Sequence, residues 1–295
     1  MAVNRSISQD VYPGGVHQNL LIVSGKGGVG KSAVAAALAI AAARRGRRVL
    51  AIGMTDNGLA AHLGVDTLVY RPKEVRPGLH GMVIDRPAAL DEYLRLQLGV
   101  PKVTRIGPIA RAFDALASAA PGIREIVTMG KVLYEARTNA WDLVVADAPP
   151  TGQIGSHLRA PRTVSELVGA GKVREQVRWM HDYTADPALT GLILVTLAEE
   201  LPVIETEETL AWLETEDLVT VRAVLTNRVL APLGAPVPAD TSRPVGAAAA
   251  LHDGIYAEQQ RWLEELPDGL NIPFLFGATG PREVAERLAD EVAAI

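Results

Sequence analysis

Gly25, Gly30, Lys31 and Ser32 occur in the order G-x-x-x-x-G-K-[ST], inside the stretch NLLIVSGKGGVGKSAVAAALA at 19–39. With Gly27 and Gly28 the turn carries four glycines, and Lys26 and Val29 are its intervening side chains. The chemistry open to such a run is the holding of phosphate. Phosphate oxygens must reach backbone N–H groups with no Cβ in the way, and a helix starting at the loop's end adds the positive pole of its dipole. In a loop of this pattern the backbone of Gly25, Lys26, Gly27, Gly28, Val29 and Gly30 cradles a nucleotide's phosphates. Lys31 reaches the β- and γ-phosphates, and the Ser32 hydroxyl ligates Mg²⁺. A second constellation is WDLVVAD at 141–147. A hydrophobic strand ending in a carboxylate is the arrangement that holds Mg²⁺, often through water, and Asp147 is its candidate. Asp142 stands at the strand's other end, away from that chemistry. Glu199, Glu200, Glu205, Glu207, Glu208 and Glu214 read as the solvated face of a helix rather than as paired catalytic acids.

The elements that must position these residues follow from periodicity. Asn19 to Val23 is apolar and β-branched or aliphatic, as a buried strand is, and the alanine-rich run after the loop is a helix. Arg44-Arg45-Gly46-Arg47-Arg48 gives that helix a basic last turn and a glycine stop. Further strands are expected at Val49 to Met54, Leu79 to Asp85, 141–147, Gly191 to Leu197, Val219 to Thr226 and Asn271 to Phe276. Helical patterning covers 87–139, broken by Gly107-Pro108 and Pro121-Gly122, then the stretch beyond 156 and 199–216. Residues 231–250 are rich in Pro, Gly and Ala and read as a flexible loop, followed by a short helix at 252–266. A closing helix from Pro281 to Ile295 buries Val284, Leu288 and Val292 on one stripe. Strands alternating with helices predict an α/β fold: one domain over 1–295, with a mostly parallel seven- to eight-stranded sheet covered by helices on both faces and a helical insertion at 87–139. In such sheets ligands sit at the C-terminal strand edge. Asp56 and Asp147 are both delivered there.

The run KGGVGKS, with Lys26 directly after the first glycine, resembles the deviant phosphate loop of the dimeric P-loop ATPases. That class takes in arsenite-pump, tail-anchored-protein-targeting, partition, division-site and nitrogenase iron-protein ATPases. The resemblance implies a homodimer, or a heterodimer with a paralogous ATPase, closing around two ATP molecules. Lys26 would then reach the partner's nucleotide; as a bare residue it is a solvated loop lysine. DAPPTG at 147–152 resembles switch II of the arsenite-pump and targeting family, in which Gly152 would carry the N–H that senses the γ-phosphate; the family's following histidine is Gln153 here. Asp56 in TDNGLAAHLG matches the switch I aspartate that orients the attacking water and contacts the Mg²⁺ shell, although the family's longer TDPAHSLSD is not kept. Asp56 also reads as an N-cap for a short helix, and the two roles are compatible. Glu205-Thr206 resembles the family's E-T segment. Asn227 occupies the position whose side chain bonds the adenine edge, implying ATP rather than GTP, and Pro281 lies where the family wraps a backbone segment over adenine. The helical segment PGIREIVTMGKVLYEA, and the chain as a whole, is similar to the paired anion-transporting-ATPase-like proteins of actinobacteria.

Composition narrows the rest. The chain has 295 residues, is 48% hydrophobic and only 4% aromatic, so its core must be built from Ala, Val and Leu. A net charge of −5 argues against sequence-independent binding of DNA or anionic lipid as the main activity. With no cysteine there is no disulfide, cysteine-held zinc or iron–sulfur cluster, and no thiolate for arsenite. The composition fits a cytoplasmic protein; no apolar run reaches the roughly 18 residues needed to span a bilayer, and the N-terminal stretch lacks the apolar core of a signal peptide. The expectation is therefore Mg²⁺-dependent ATP hydrolysis coupled to dimer opening and closing, with a possible protein client. The alternatives are a nucleotide-switched binding module, or weakly active half of a heterodimer, and behind it a partition-type ATPase. Leu90, Tyr93, Leu94, Leu96 and Leu98 read as ordinary core more readily than as a client groove.

Overall fold

In a computed structural model, the structure describes residues 19–98, 122–167, 171–234 and 242–294. One eight-stranded sheet organises them, in the order β3-β4-β2-β5-β1-β6-β7-β8. Its strands are β1 (Leu20–Gly25), β2 (Val49–Gly53), β3 (Lys73–Arg76), β4 (Leu79–Val83), β5 (Leu143–Asp147), β6 (Thr190–Leu197), β7 (Val221–Val229) and β8 (Leu270–Pro273). All neighbours are parallel except the edge pair β3 and β4. The four central strands β2, β5, β1 and β6 are buried along their whole length because helices cover both faces, which is why they read as apolar runs rather than as alternations.

The strand period divides the core in two. Leu21 and Val23 of β1, with Leu143 and Val145 of β5, point to the side covered by α1 (Lys31–Arg44), α2 (Gly58–Leu63) and α9 (Pro281–Glu291). Leu20 and Ile22, with Val144 and Ala146, point the other way. They meet α3 (Arg86–Leu98), α4 (Ile123–Arg137), α5 (Thr151–Leu167), α6 (Lys172–Ala185) and α7 (Glu200–Glu216). Helix α1 has ten consecutive buried residues from Ala33 to Ala42, seven of them alanine, so it lies close against the sheet.

Several expectations are corrected. Strand β3 was not anticipated: KEVR is charged and mostly exposed, and it forms only because β4 offers an open edge. The stretch 231–250 is not all loop, since α8 (Arg243–Glu265) starts within it. Pro244 sits in its first turn, where a missing N–H does no harm, and Ala247 to Ala250 are the best helix formers. Strand β8 stops at Pro273 rather than Phe276, and the last helix ends at Glu291 before a short 3₁₀ turn at Val292–Ala294. The Gly107-Pro108 break lies outside the described residues. No helix among the described residues is long and apolar enough to cross a membrane.

The helical insertion is pinned to the sheet side by a buried charge. Lys131 on α4, 7% exposed, donates to Glu92 of α3 at 2.6 Å and to Glu135 at 2.7 Å. Tyr70 also donates to Glu92, and Trp141 donates to Glu135 at 3.0 Å. Burial opposes the charge on Glu92, but the hydrogen bonds from Lys131 and Tyr70 prevail and hold it below its ordinary value. Lys131→Met would strand two carboxylates around an apolar side chain. The expected result is a loss of about 3 kcal/mol in urea unfolding, since removing one partner of a buried pair leaves the other uncompensated; an unchanged midpoint would contradict it.

Candidate functional site

The loop at 25–32 joins β1 to α1 in the middle of the sheet. Gly25 closes β1 at φ +150, paired with Val195 on β6, and a Cβ there would lie 2.0 Å from the Val195 carbonyl oxygen. Gly28 and Gly30 both have positive φ, at +88 and +96. Lys31 begins α1, and its Nζ donates back to the Lys26 carbonyl at 3.1 Å, so the ammonium lies over its own loop. Burial pulls Lys31 below its ordinary pKa, against the carboxylates of Asp147 and then Asp56.

Asp147 ends β5, beside β1, with Val23 opposite it in the register. It is 7% exposed, and burial raises its pKa to about 6, against a hydrogen bond from the Ser32 hydroxyl and the charge of Lys31. Asp56 follows β2, and its Oδ1 accepts the N–H of Gly58 at 2.8 Å. Asn57 holds the formal cap position of α2, so Asp56 serves the helix from one residue earlier. A Cβ at Gly58 would lie 3.0 Å from Asp56 Oδ1 and 3.5 Å from Ser32 Oγ, which brings the segment after β2 up to the first turn of α1. Ser32, Asp56 and Asp147 thus offer a hydroxyl and two carboxylates, hard oxygen donors suited to Mg²⁺ with phosphate and water completing the shell. No cluster of three or more His, Asp or Glu able to hold a metal occurs among the described residues.

Gly152 is the second residue of α5, exposed, with no heavy atom within 4 Å of where a Cβ would stand. Its N–H belongs to the first turn, which has no intrahelical acceptor. Ser24 was not singled out from the sequence; its buried hydroxyl donates to the Pro149 carbonyl at 2.7 Å and ties the loop's root to the segment after β5.

Lys26 and Asn227 have partners that the sequence did not reveal. Lys26 Nζ lies 2.6 Å from Glu205 Oε1 on α7 of the same chain. Glu205 is therefore half-buried, while Glu199, Glu200, Glu207, Glu208 and Glu214 are exposed as a solvated face should be. Asn227 is buried; its Nδ2 donates to the Val29 carbonyl at 2.9 Å and its Oδ1 accepts the N–H of Arg228. It props the loop at 25–32. Arg228, at φ 59, is one of two non-glycine residues with positive φ among the described residues. Gln259, buried on α8, brackets it by donating to the Arg228 carbonyl and accepting from the Leu230 N–H.

A cavity of about 680 Å³ runs from the loop to the end of the sheet. Gly30, Lys31 and Ser32 line it at the loop, with Asn227 beside Gly30, and Phe274 and Pro281 line it farther along the sheet's edge. His62, unnoticed in the sequence, lies in its wall with Nδ1 3.0 Å from the Pro281 carbonyl oxygen. A separate apolar cavity of about 320 Å³ lies among α3, α4, α5 and α6. Leu90, Tyr93 and Leu94 line it rather than being fully packed core; the side chains of Leu96 and Leu98 lie outside the described residues.

The family model described as "Anion-transporting ATPase" matches residues 18–183. The ATPase BagA of Mycobacterium tuberculosis is 35% identical over 229 residues, 71% of this chain and 64% of that protein. The alignment thus spans less than two thirds of this relative's length. The ATPase get3 of Schizosaccharomyces japonicus is 25% identical over 287 residues, 85% of this chain and 84% of that protein. An uncharacterized Streptomyces coelicolor protein is 32% identical over 160 residues, 54% of this chain and 38% of that protein.

Proposed function

Because this chain belongs to the anion-transporting ATPase family, we propose that it hydrolyses ATP in a Mg²⁺-dependent cycle that opens and closes a dimer. The observation that carries the proposal is convergence. The loop at 25–32, Asp147 and Asp56 come from three adjacent strands, and their charges act on one another around the Ser32 hydroxyl. The loop N–H groups and Lys31 bind the β- and γ-phosphates; Ser32 and Asp147 would hold Mg²⁺, which would supply positive charge to offset that developing on the transferred group. Asp56 orients the attacking water. Gly152, free to swing for want of a side chain, reports whether the γ-phosphate is attached.

Lys26 acts in trans, adding positive charge at the partner's nucleotide. Its bond to Glu205 makes the single chain a resting form, since the ammonium must leave a carboxylate before it can cross. That bond also favours the second reading, a nucleotide-switched module with negligible turnover. Phosphate release and sedimentation with ATP separate the two. The expected result is ATP-dependent dimers, turnover lost in Lys26→Ala by at least tenfold, and partial recovery when Lys26→Ala is mixed with Lys31→Ala. Recovery is possible only if the Lys31→Ala subunit lends its Lys26 across the interface to the intact loop of the Lys26→Ala subunit, which restores one of the two sites. Monomers that hydrolyse at full rate would overturn the trans role, and ATP-dependent dimers without turnover would favour the second reading.

A further inference from the structure

Helix α2 runs beside the cavity: its Gly58 adjoins Ser32, which lines the loop end, and its His62 lines the wall itself. Gly58 and His62 are four residues apart, hence on the same side of the helix and about 6 Å apart along its axis. Gly58 stands next to Ser32 Oγ and Asp56, at the phosphate and metal end. His62 stands next to Pro281, at the end where the base would lie, and lines the cavity. A nucleotide spanning these ends must run its ribose past the wall between them, and His62 is the polar side chain that α2 places there.

The imidazole's protonation follows from its partner. A backbone carbonyl can only accept, so Nδ1 must carry the proton that it donates to Pro281. Burial lowers the pKa of His62, against the pull of that same carbonyl, and so keeps the ring neutral near pH 7. Nε2 is then an acceptor with no hydrogen to give. It cannot serve a phosphate oxygen, which also only accepts. It suits a hydroxyl donor.

We propose that His62 Nε2 accepts a hydrogen bond from a ribose hydroxyl of the bound nucleotide, making His62 the residue that distinguishes ribonucleotides from their deoxy forms. This rests on the nucleotide reading above. The Pro281 carbonyl is the positioning group, since it fixes both the ring's tautomer and its orientation.

The test is calorimetric titration of the full chain with Mg²⁺ and ATP, 2′-deoxy-ATP or 3′-deoxy-ATP, using wild type, His62→Ala and His62→Phe. Wild type is expected to bind one deoxy nucleotide about five- to tenfold more weakly than ATP, the worth of one neutral hydrogen bond. The deoxy form that suffers identifies the hydroxyl. In both variants the three affinities should converge, even if all fall together because α2 has lost its tie to Pro281. A role confined to that tie would lower the affinities without changing their ratios. Equal affinities in wild type, or discrimination kept in either variant, would overturn the proposal. Failure of wild type to bind any of the three would instead remove the nucleotide reading itself, a distinct result visible in the first titration.

Discussion

Lys31→Ala is expected to reduce steady-state phosphate release from ATP by at least about 10²-fold, the scale of removing one preorganised charge-stabilising group from a reacting centre. The surroundings make the loss larger than that of a lone surface lysine. The charge of Lys31 favours the ionised Asp147, and Asp147 and Asp56 both favour the charged Lys31, so both carboxylates would face an incoming triphosphate without it. Nucleotide affinity should fall as well, because the loop's N–H groups would then have to hold the β- and γ-phosphates without their counter-charge. Stability should change little. The one hydrogen bond made by the ammonium is to the carbonyl of Lys26, in the same loop. Phosphate release, read beside a thermal melt, separates loss of chemistry from loss of fold. Turnover that survives in a well-folded Lys31→Ala protein would contradict the assignment of the site.

The second large effect concerns folding. Gly25→Ala is expected to destabilise the chain by about 4 kcal/mol, combining an overpacked contact with backbone strain. The added methyl would fall 2.0 Å from the Val195 carbonyl oxygen and 2.9 Å from its carbon, on the neighbouring strand at the centre of the sheet. Neither atom is the end of a flexible side chain that could move aside. The φ of +150 adds to the difficulty for any L side chain. Gly27→Ala is the control: it sits in the same loop with nothing within 4 Å of the new methyl and no positive φ. Urea midpoints for the two proteins should differ widely. Equal midpoints would mean that β1 and β6 can separate at this level without penalty.

The parts of this protein legible in its sequence are those built from neighbours along the chain. The loop at 25–32, the strand ending in Asp147 and the glycine after its prolines are contiguous motifs, and each carries its own flanking strand or helix. The two-sided burial of β1, β5 and β6 was equally visible, because a strand covered on both faces is apolar throughout. The residues that lock the site together were not. Lys26 meets Glu205 across 179 positions, Asn227 meets Val29 across 198, and His62 meets Pro281 across 219. No local pattern encodes such pairs. Glu205 stood out only as half of the Glu205-Thr206 pair, and only the fold turns it toward Lys26 of the loop. Strand β3 went unseen because an edge strand with exposed Lys73 and Glu74 has no apolar signature. The start of α8 was hidden by prolines and glycines that composition alone assigns to a loop.

The pairing of β1 with β5 works as a ruler. Val23 stands level with Asp147, and the hydrogen bond from the Ala148 N–H to the Val23 carbonyl at 2.9 Å fixes the last graduation. Inserting one residue into either strand would slide its end by about 3.3 Å and turn the terminal side chain to the opposite face of the sheet. The carboxylate and the loop would then miss each other although every motif letter was intact. Variation in chain length should therefore be absent from these two strands and confined to segments, such as that beyond β7, whose span does not set the distance between Asp147 and the loop.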